Sequence, residues 1–190
     1  MDTINHIIEG CRKKDQKYQR LLYDRYRGYM CKVVFKYIYR YEKAMDVVTD
    51  GFVKAFNRFE QFRCEKDQDA EKLLMGWLKR IMINCAIDEL RRNHMMPEIG
   101  GIPEDVWSTT SKGDNADQLL LYKELISVIK ELPPNYRAVF NLYVIDGYSH
   151  SQIADILNIS IGTARSSLAR ARAFLQKLIH KMEEGKACRI

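Results

Sequence analysis

The chain has 190 residues, 46% of them hydrophobic, enough for one domain or two small cores, and no apolar run approaches the roughly 18 residues that a membrane span needs. Lysine and arginine exceed aspartate and glutamate by six, unevenly: residues 1–97 carry 20 basic against 14 acidic side chains, residues 98–124 carry 2 against 6, and residues 125–190 carry 9 against 5. Two basic blocks therefore flank an acidic connector, a pattern that attracts polyphosphates and that also suits anionic surfaces or simple solubility.

The five cysteines, at 11, 31, 64, 85 and 188, form no CxxC pair and do not cluster with the four histidines, so no zinc site, disulfide framework or other cofactor is expected. In the opening MDTINHIIEGCRKKD the charges follow the short apolar run, the reverse of a secretory leader, and the expected location is the cytoplasm.

Residues 1–60 read as helices. Ile4, Ile7, Ile8 and Cys11 recur at helical spacing, followed by Leu21, Leu22 and Tyr26, then by Met30, Val33, Val34 and Tyr37 after Gly28. Tyrosines crowd this half (18, 23, 26, 29, 37, 39 and 41), as rings in a core with hydroxyls at its rim. In the next helix, Ala44, Val47, Val48, Phe52, Ala55 and Phe56 form the buried face, which leaves Asp46, Thr49, Asp50 and Lys54 in solvent. Gly51 sits inside it at a cost of about 1 kcal/mol relative to alanine, so a neighbour packs very closely there or the helix is locally weak.

The polar stretch FRCEKDQDAEKLL is a loop that runs into a helix near Ala70. That helix is apolar on nearly every side: Leu74, Leu78, Ile81 and Cys85 lie on one face and Ile83, Ile87 and Leu90 on another, so it must be buried from two directions. One strip differs. Trp77, Arg80, Asn84, Asp88 and Arg91 fall at spacings of 3, 4, 4 and 3, a line about 80° wide on the helical wheel. A ring, a guanidinium, an amide and further charges in a row suit unpaired bases, which need a face to stack on and partners for their edges. The same residues also suit an intrahelical ion-pair ladder with Trp77 in the core. Arg91 and Arg92 end the helix, placed to meet a phosphate or the helix's own carboxyl end.

Residues 93–117, with Pro97, Gly100, Gly101, Pro103, Gly113 and an acidic excess, read as a linker, within which Val106 and Trp107 are expected to dock on something. A second helical domain begins near Asp117 and runs to the Pro133 and Pro134 stop; a further helix covers Asn135 to Ile145, ended by Gly147. Ser149 and Gln152 then have the spacing of a capping box. Ile153, Ala154 and Leu157 give a short helix its buried face, Asn158 tolerates the left-handed conformation of a sharp turn, and Ser160 caps a second helix. On the second helix Ala164, Leu168, Ala171, Leu175 and Leu178 share the core side. The opposite side carries Gly162, Ser166, Ala169 and Ala173, flanked by Thr163 and Arg170 on one edge and by Arg165 and Arg172 on the other. Small residues let a helix lie deep in a major groove while flanking arginines reach phosphates or guanine edges. This is a helix-turn-helix, in an all-α chain of two small helical domains joined by a flexible acidic linker.

With both stretches placed, the whole chain resembles the extracytoplasmic-function group of bacterial sigma factors, the dissociable subunits that direct RNA polymerase to promoters. The first half resembles sigma region two through Ala44, Asp46, Val47, Val48, Asp50, Phe52, Phe62-Arg63, Trp77-Leu78, Ile81, Asn84, Asp88 and Arg91-Arg92. The second resembles region four through Leu132-Pro133, the tyrosine-glycine-serine surroundings of the turn, and ISIGTARSSLARAR.

The resemblance implies domains at 1–95 (region two), 96–117 (linker) and 118–190 (region four), no catalysis and no small-molecule substrate. Its implied partners are core RNA polymerase, promoter DNA and an anti-sigma factor, without insertion of the chain into a membrane. Asp46, Thr49, Asp50 and Lys54 match the edge that docks on the polymerase clamp. Trp77, Lys79, Arg80, Asn84, Asp88, Arg91 and Arg92 match the face that opens the −10 element. Gly162, Thr163, Arg165, Ser166, Arg170 and Arg172 match the reader of the −35 duplex. The chain departs from the family pattern at Thr49, commonly glutamine, and at Gly51, commonly a larger apolar residue; its spacer between Phe62-Arg63 and Trp77 is longer and more charged. Two other classes meet the same residues. A stand-alone helix-turn-helix regulator would bind duplex without polymerase, and a DNA-processing enzyme would need a nucleophile or metal carboxylates that no cluster in this chain supplies.

Overall fold

A computed structural model of the chain describes residues 3–64, 69–92 and 124–187, with side chains to residue 181. The described residues are helical, without strands, and fall into two compact units, one holding residues 3–92 and the other residues 124–187. The 96–117 linker, the Val106 and Trp107 pair and the start of the second domain at Asp117 lie outside the described residues.

In the first unit α1 spans Ile4–Arg12, α2 Gln16–Phe35, α3 Tyr41–Asn57 and α4 Ala70–Arg92, with a single 3-10 turn at Phe59–Gln61 between α3 and α4. Lys14 takes a left-handed conformation (φ 59°) and Asp15 caps α2 by accepting the Lys17 amide at 2.9 Å, which folds α1 back on α2. The tyrosines divide as a core and its rim: Tyr26, Tyr37 and Tyr39 are buried, while Tyr29 and Tyr41 are exposed.

Helix α4 packs against both α2 and α3. Leu74, Leu78, Met82, Ile83, Cys85, Ala86, Ile87 and Leu90 are all buried along it, which meets the expectation of burial from two directions. One detail differs: Ile81 is only half-buried, and Met82 and Ala86 occupy the interior in its place. Glu71, in the first turn of α4, accepts hydrogen bonds from both the Arg25 guanidinium and the Tyr26 hydroxyl, each at 2.8 Å. Burial, reinforced by that carboxylate, pushes the Tyr26 phenol well above its ordinary range, so the bond keeps its proton on tyrosine.

Gly51 is explained by the same packing. A Cβ placed there would overlap the Met82 sulfur and lie 3.0 Å from its methyl carbon, and Met82 is fully buried. Helix α4 thus fills, with Met82, the space that a larger residue on α3 would occupy.

In the second unit, residues 124–130 are helical (α5), α6 spans Pro134–Phe140, α7 His150–Leu157 and α8 Ile161–Ala187. The helix expected over Asn135–Ile145 is present, but its last part, Asn141–Ile145, is a π turn before Gly147 at φ 75°. The buried Arg137 donates to the Lys130 carbonyl at 3.1 Å and so closes the end of α5 on α6. Ile129, Leu132, Ala171 and Leu175 form a buried cluster that joins α5 to α8.

The Gly51 contact makes a stability prediction. Gly51→Ala should lower the stability of the chain by about 1–2 kcal/mol, because overpacking outweighs the helix-propensity gain of about 1 kcal/mol. Adding Met82→Leu should recover part of the loss. The midpoint of urea unfolding reads both, and an unchanged midpoint for Gly51→Ala would mean that Met82 steps aside freely.

Candidate nucleic-acid interface

Helix α3 turns Asp46, Thr49, Asp50 and Lys54 to solvent, all four exposed, because Ala44, Val47, Val48, Phe52 and Ala55 take the interior. The Thr49 hydroxyl donates to the Met45 carbonyl at 2.9 Å, as threonine does inside a helix. This edge is not isolated from α4. Lys54 and Asp50 of α3 and Asp88 of α4 all lie close enough to act on the Cys85 thiol. Burial nonetheless pushes Cys85 above its ordinary range, so it stays a neutral thiol. The acidic edge of α3 and the polar strip of α4 therefore adjoin across this one buried cysteine.

Along α4, Arg80, Asn84, Asp88 and Arg91 are exposed on one line, with Lys79 half-buried beside them. Arg80 and Asn84 make no ion pair or side-chain hydrogen bond among the described residues. The end of the line is engaged within its own helix: Arg91 lies 3.9 Å from Asp88, and Arg92 lies 3.2 Å from Glu89, which also meets Lys43 at 3.6 Å. Of the intrahelical ladder that the sequence allowed, only the Asp88–Arg91 contact is present on this strip among the described residues, and Arg80 stands outside it.

Trp77 is half-buried, its ring centroid 5.4 Å from both Phe59, edge-on, and Phe62. The turn that carries these phenylalanines is held by Arg12 of α1, which donates to the Phe62 carbonyl at 3.0 Å, and by the Lys14–Glu60 ion pair at 3.5 Å. Trp77 is therefore one wall of an aromatic cluster rather than a freely turning ring. Phe59 and Phe62 as its supports were not separable in the sequence from ordinary core aromatics.

In the second unit the helix-turn-helix forms as its residues direct. The Ser149 hydroxyl accepts the Gln152 amide at 3.2 Å while the Gln152 side chain accepts the Ser149 amide at 2.9 Å, a complete capping box. Asn158 closes α7 in the left-handed conformation (φ 53°, ψ 51°), and the Ser160 hydroxyl accepts the Thr163 amide at 3.0 Å to start α8. Ala164, Leu168 and Ala171 are buried, as is Leu175 at 8% exposure, whereas Leu178 is half-buried as α8 leaves the core.

The outer side of α8 is exposed at Gly162, Thr163, Arg165, Ser166, Ala169, Arg170, Arg172 and Ala173. A Cβ at Gly162 would meet only the Ser160 hydroxyl, at 3.6 Å, so nothing inside this chain requires a glycine there. The hydroxyls are partly committed: Thr163 pairs with Ser160 at 2.8 Å, and Ser166 donates to the Thr163 carbonyl at 3.1 Å. Arg165 has no partner among the described residues. Arg170 donates to the Tyr136 hydroxyl at 3.4 Å, and the Arg172 guanidinium lies over the Tyr143 ring, 5.8 Å from its centroid. Neither tyrosine stood out in the sequence, because contacts across helices leave no mark on periodicity.

Comparison with known proteins agrees with both halves. The family model "Sigma-70 region 2" matches residues 22–95 and "Sigma-70, region 4" matches residues 122–175. The ECF RNA polymerase sigma-E factor of Haemophilus influenzae is 27% identical over 190 residues, covering 95% of this chain and 97% of that protein. The sigma-E factor of Escherichia coli K12 is 27% identical over 186 residues, covering 93% and 94%. Among solved structures, the sigma factor RpoE from Bartonella quintana, crystallised with the anti-sigma factor NepR, shares the fold with a TM-score of 0.52 at 22% identity, over 80% of this chain and 89% of that one. Two sigma-70 regions in their proper order, each on its own helical unit, within a likeness that runs nearly end to end, make this chain a member of the extracytoplasmic-function group of sigma factors.

Proposed function

We propose that this sigma factor binds core RNA polymerase through the α3 edge formed by Asp46, Thr49, Asp50 and Lys54. It opens the −10 element with the α4 strip and reads the −35 element with α8. The region-two body covers residues 1–95 and the region-four body residues 118–190, with residues 96–117 as the tether. The chain has no catalysis of its own, and it works in the cytoplasm, where the polymerase and the promoter are.

The observation that carries the reading is the contrast within α4: a helix buried on almost every side keeps Arg80 and Asn84 exposed, without a side-chain partner among the described residues, beside a braced tryptophan. Exposed amide and guanidinium donors beside an aromatic wall suit the edges and faces of unstacked bases. Unstacking costs a few kcal/mol per base step, and stacking together with phosphate contacts offsets it within the holoenzyme. Asp88, Arg91 and Arg92 exchange their intrahelical partners for the strand as it arrives, and Lys79 lies at its border.

On α8, Gly162 and Ser166 line the side that enters the groove. Arg165, Arg170 and Arg172 meet phosphates and guanine edges, and Thr163 holds the helix start. An anti-sigma factor is the expected regulator, since the Bartonella relative of the same fold is bound to one.

Asn84→Ala should reduce open-complex formation at least tenfold while binding to core polymerase stays intact; permanganate footprinting and a pull-down read the two separately. A normal transcription yield from that variant would remove the assignment of α4. Paired reversal of the clamp edge, Asp46→Arg with Asp50→Arg, should have the opposite profile, with polymerase association lost and the fold retained by circular dichroism. A gel-shift titration of the isolated chain is expected to show weak, salt-sensitive duplex binding without sequence preference. Tight specific binding without polymerase would instead fit a stand-alone regulator. Start sites mapped genome-wide with the reconstituted holoenzyme would identify its promoters.

A further inference from the structure

The two arginines on opposite edges of α8 are each in contact with a tyrosine of the segment formed by α6 and the π turn that follows it. Arg170 donates to the Tyr136 hydroxyl at 3.4 Å, and Arg172 sits over the Tyr143 ring at 5.8 Å, within reach of a cation–π attraction. Tyr136 and Tyr143 are seven residues apart. On a continuous α-helix they would point within about 20° of each other; here Tyr143 lies inside the Asn141–Ile145 π turn. Two tyrosines of one segment meet arginines on opposite edges of one helix.

Each is itself fixed. Tyr136 packs on the cluster of Ile129, Leu132, Ala171 and Leu175. The Tyr143 ring stacks on His150, the first residue of α7, with centroids 4.5 Å apart and planes 21° from parallel. Through this stack and the Arg172 contact, Tyr143 links the π turn to both helices of the helix-turn-helix.

We infer that Tyr143 and Tyr136 are positioning residues for promoter recognition, which hold Arg172 and Arg170 in the orientation that the −35 duplex needs before the duplex arrives. The inference rests on the assignment of α8 as the −35 reader. The chemistry favours it because these contacts leave the arginines able to bind. A guanidinium over a ring face spends none of its five N–H donors, and one bonded to a phenol oxygen spends one. What is removed is rotamer freedom that a free arginine would lose on binding, so association becomes tighter without any new contact to DNA.

The test uses holoenzyme reconstituted from the full chain and core RNA polymerase. Its probe is a promoter fragment recovered by start-site mapping, and its readout is binding at several salt concentrations. Tyr143→Leu should weaken binding roughly two- to tenfold while keeping the salt slope, and Tyr143→Phe, which retains the ring, should bind close to wild type. Arg172→Ala should weaken binding and lower the salt slope by about one. Adding Tyr143→Leu to Arg172→Ala should then have no further effect. Tyr136→Phe, which removes only a hydroxyl, provides a second arm: it should weaken binding in the wild-type background and be silent in Arg170→Ala. That arm stands even if Tyr143→Leu fails to fold.

Multiplying effects in both double variants would overturn the inference, as would a Tyr143→Phe variant as weak as Tyr143→Leu. If Arg170→Ala and Arg172→Ala are both silent, the −35 assignment itself fails, and the bracing falls with it.

Discussion

The enclosure of α4 is the constraint on which the N-terminal unit depends. Eight of its residues are buried against neighbours on different sides, so the helix can neither rotate nor slide without opening the core. A helix held that way presents the same narrow strip to solvent at all times. Arg80 and Asn84 are rigidly placed because Leu78, Met82, Ile83 and Ala86 are packed, not because anything holds the polar side chains themselves. The Arg25–Glu71–Tyr26 group fixes the first turn, and Met82 seated over Gly51 fixes the middle.

This explains why the chain accepts a glycine inside α3. The cost of the missing side chain is met by a buried methionine from the neighbouring helix, and the exchange draws α3 close to α4. The acidic edge of α3 and the polar strip of α4 then share a border at Cys85, with Lys54, Asp50 and Asp88 around it. The two exposed surfaces are thus positioned by the same pair of packed helices, so on the proposed reading docking and strand capture would share one support.

The C-terminal unit reaches its geometry by local means. Its turn is defined by a capping box, one left-handed asparagine and one serine cap, each satisfied within a few residues along the chain. Tertiary packing adds the seating of α8 on α6 and α7, its join to α5 through Ile129, Leu132, Ala171 and Leu175, and the contacts of Arg170 and Arg172 with Tyr136 and Tyr143. The two units therefore hold an exposed polar helix face in two ways, by burial in the first and by capping in the second.

What the sequence determined by itself was whatever repeats along one helix or closes within a few residues. The all-α class, the exposed edge at Asp46, Thr49, Asp50 and Lys54, the α4 strip, the complete turn from Ser149 to Ser160 and the core side of α8 were all legible, because spacing and caps are local properties. What only the tertiary structure decided was every contact between elements. Met82 and Ala86 took the interior in place of Ile81; Phe59 and Phe62 packed on Trp77; and Tyr143 met Arg172 while Tyr136 met Arg170. The physical reason is that a helical wheel specifies a direction around one axis but not the neighbour that lies in that direction. Which aromatic ring supports a tryptophan, or which tyrosine braces an arginine, depends on side chains far apart in the chain meeting at a distance of a few ångströms.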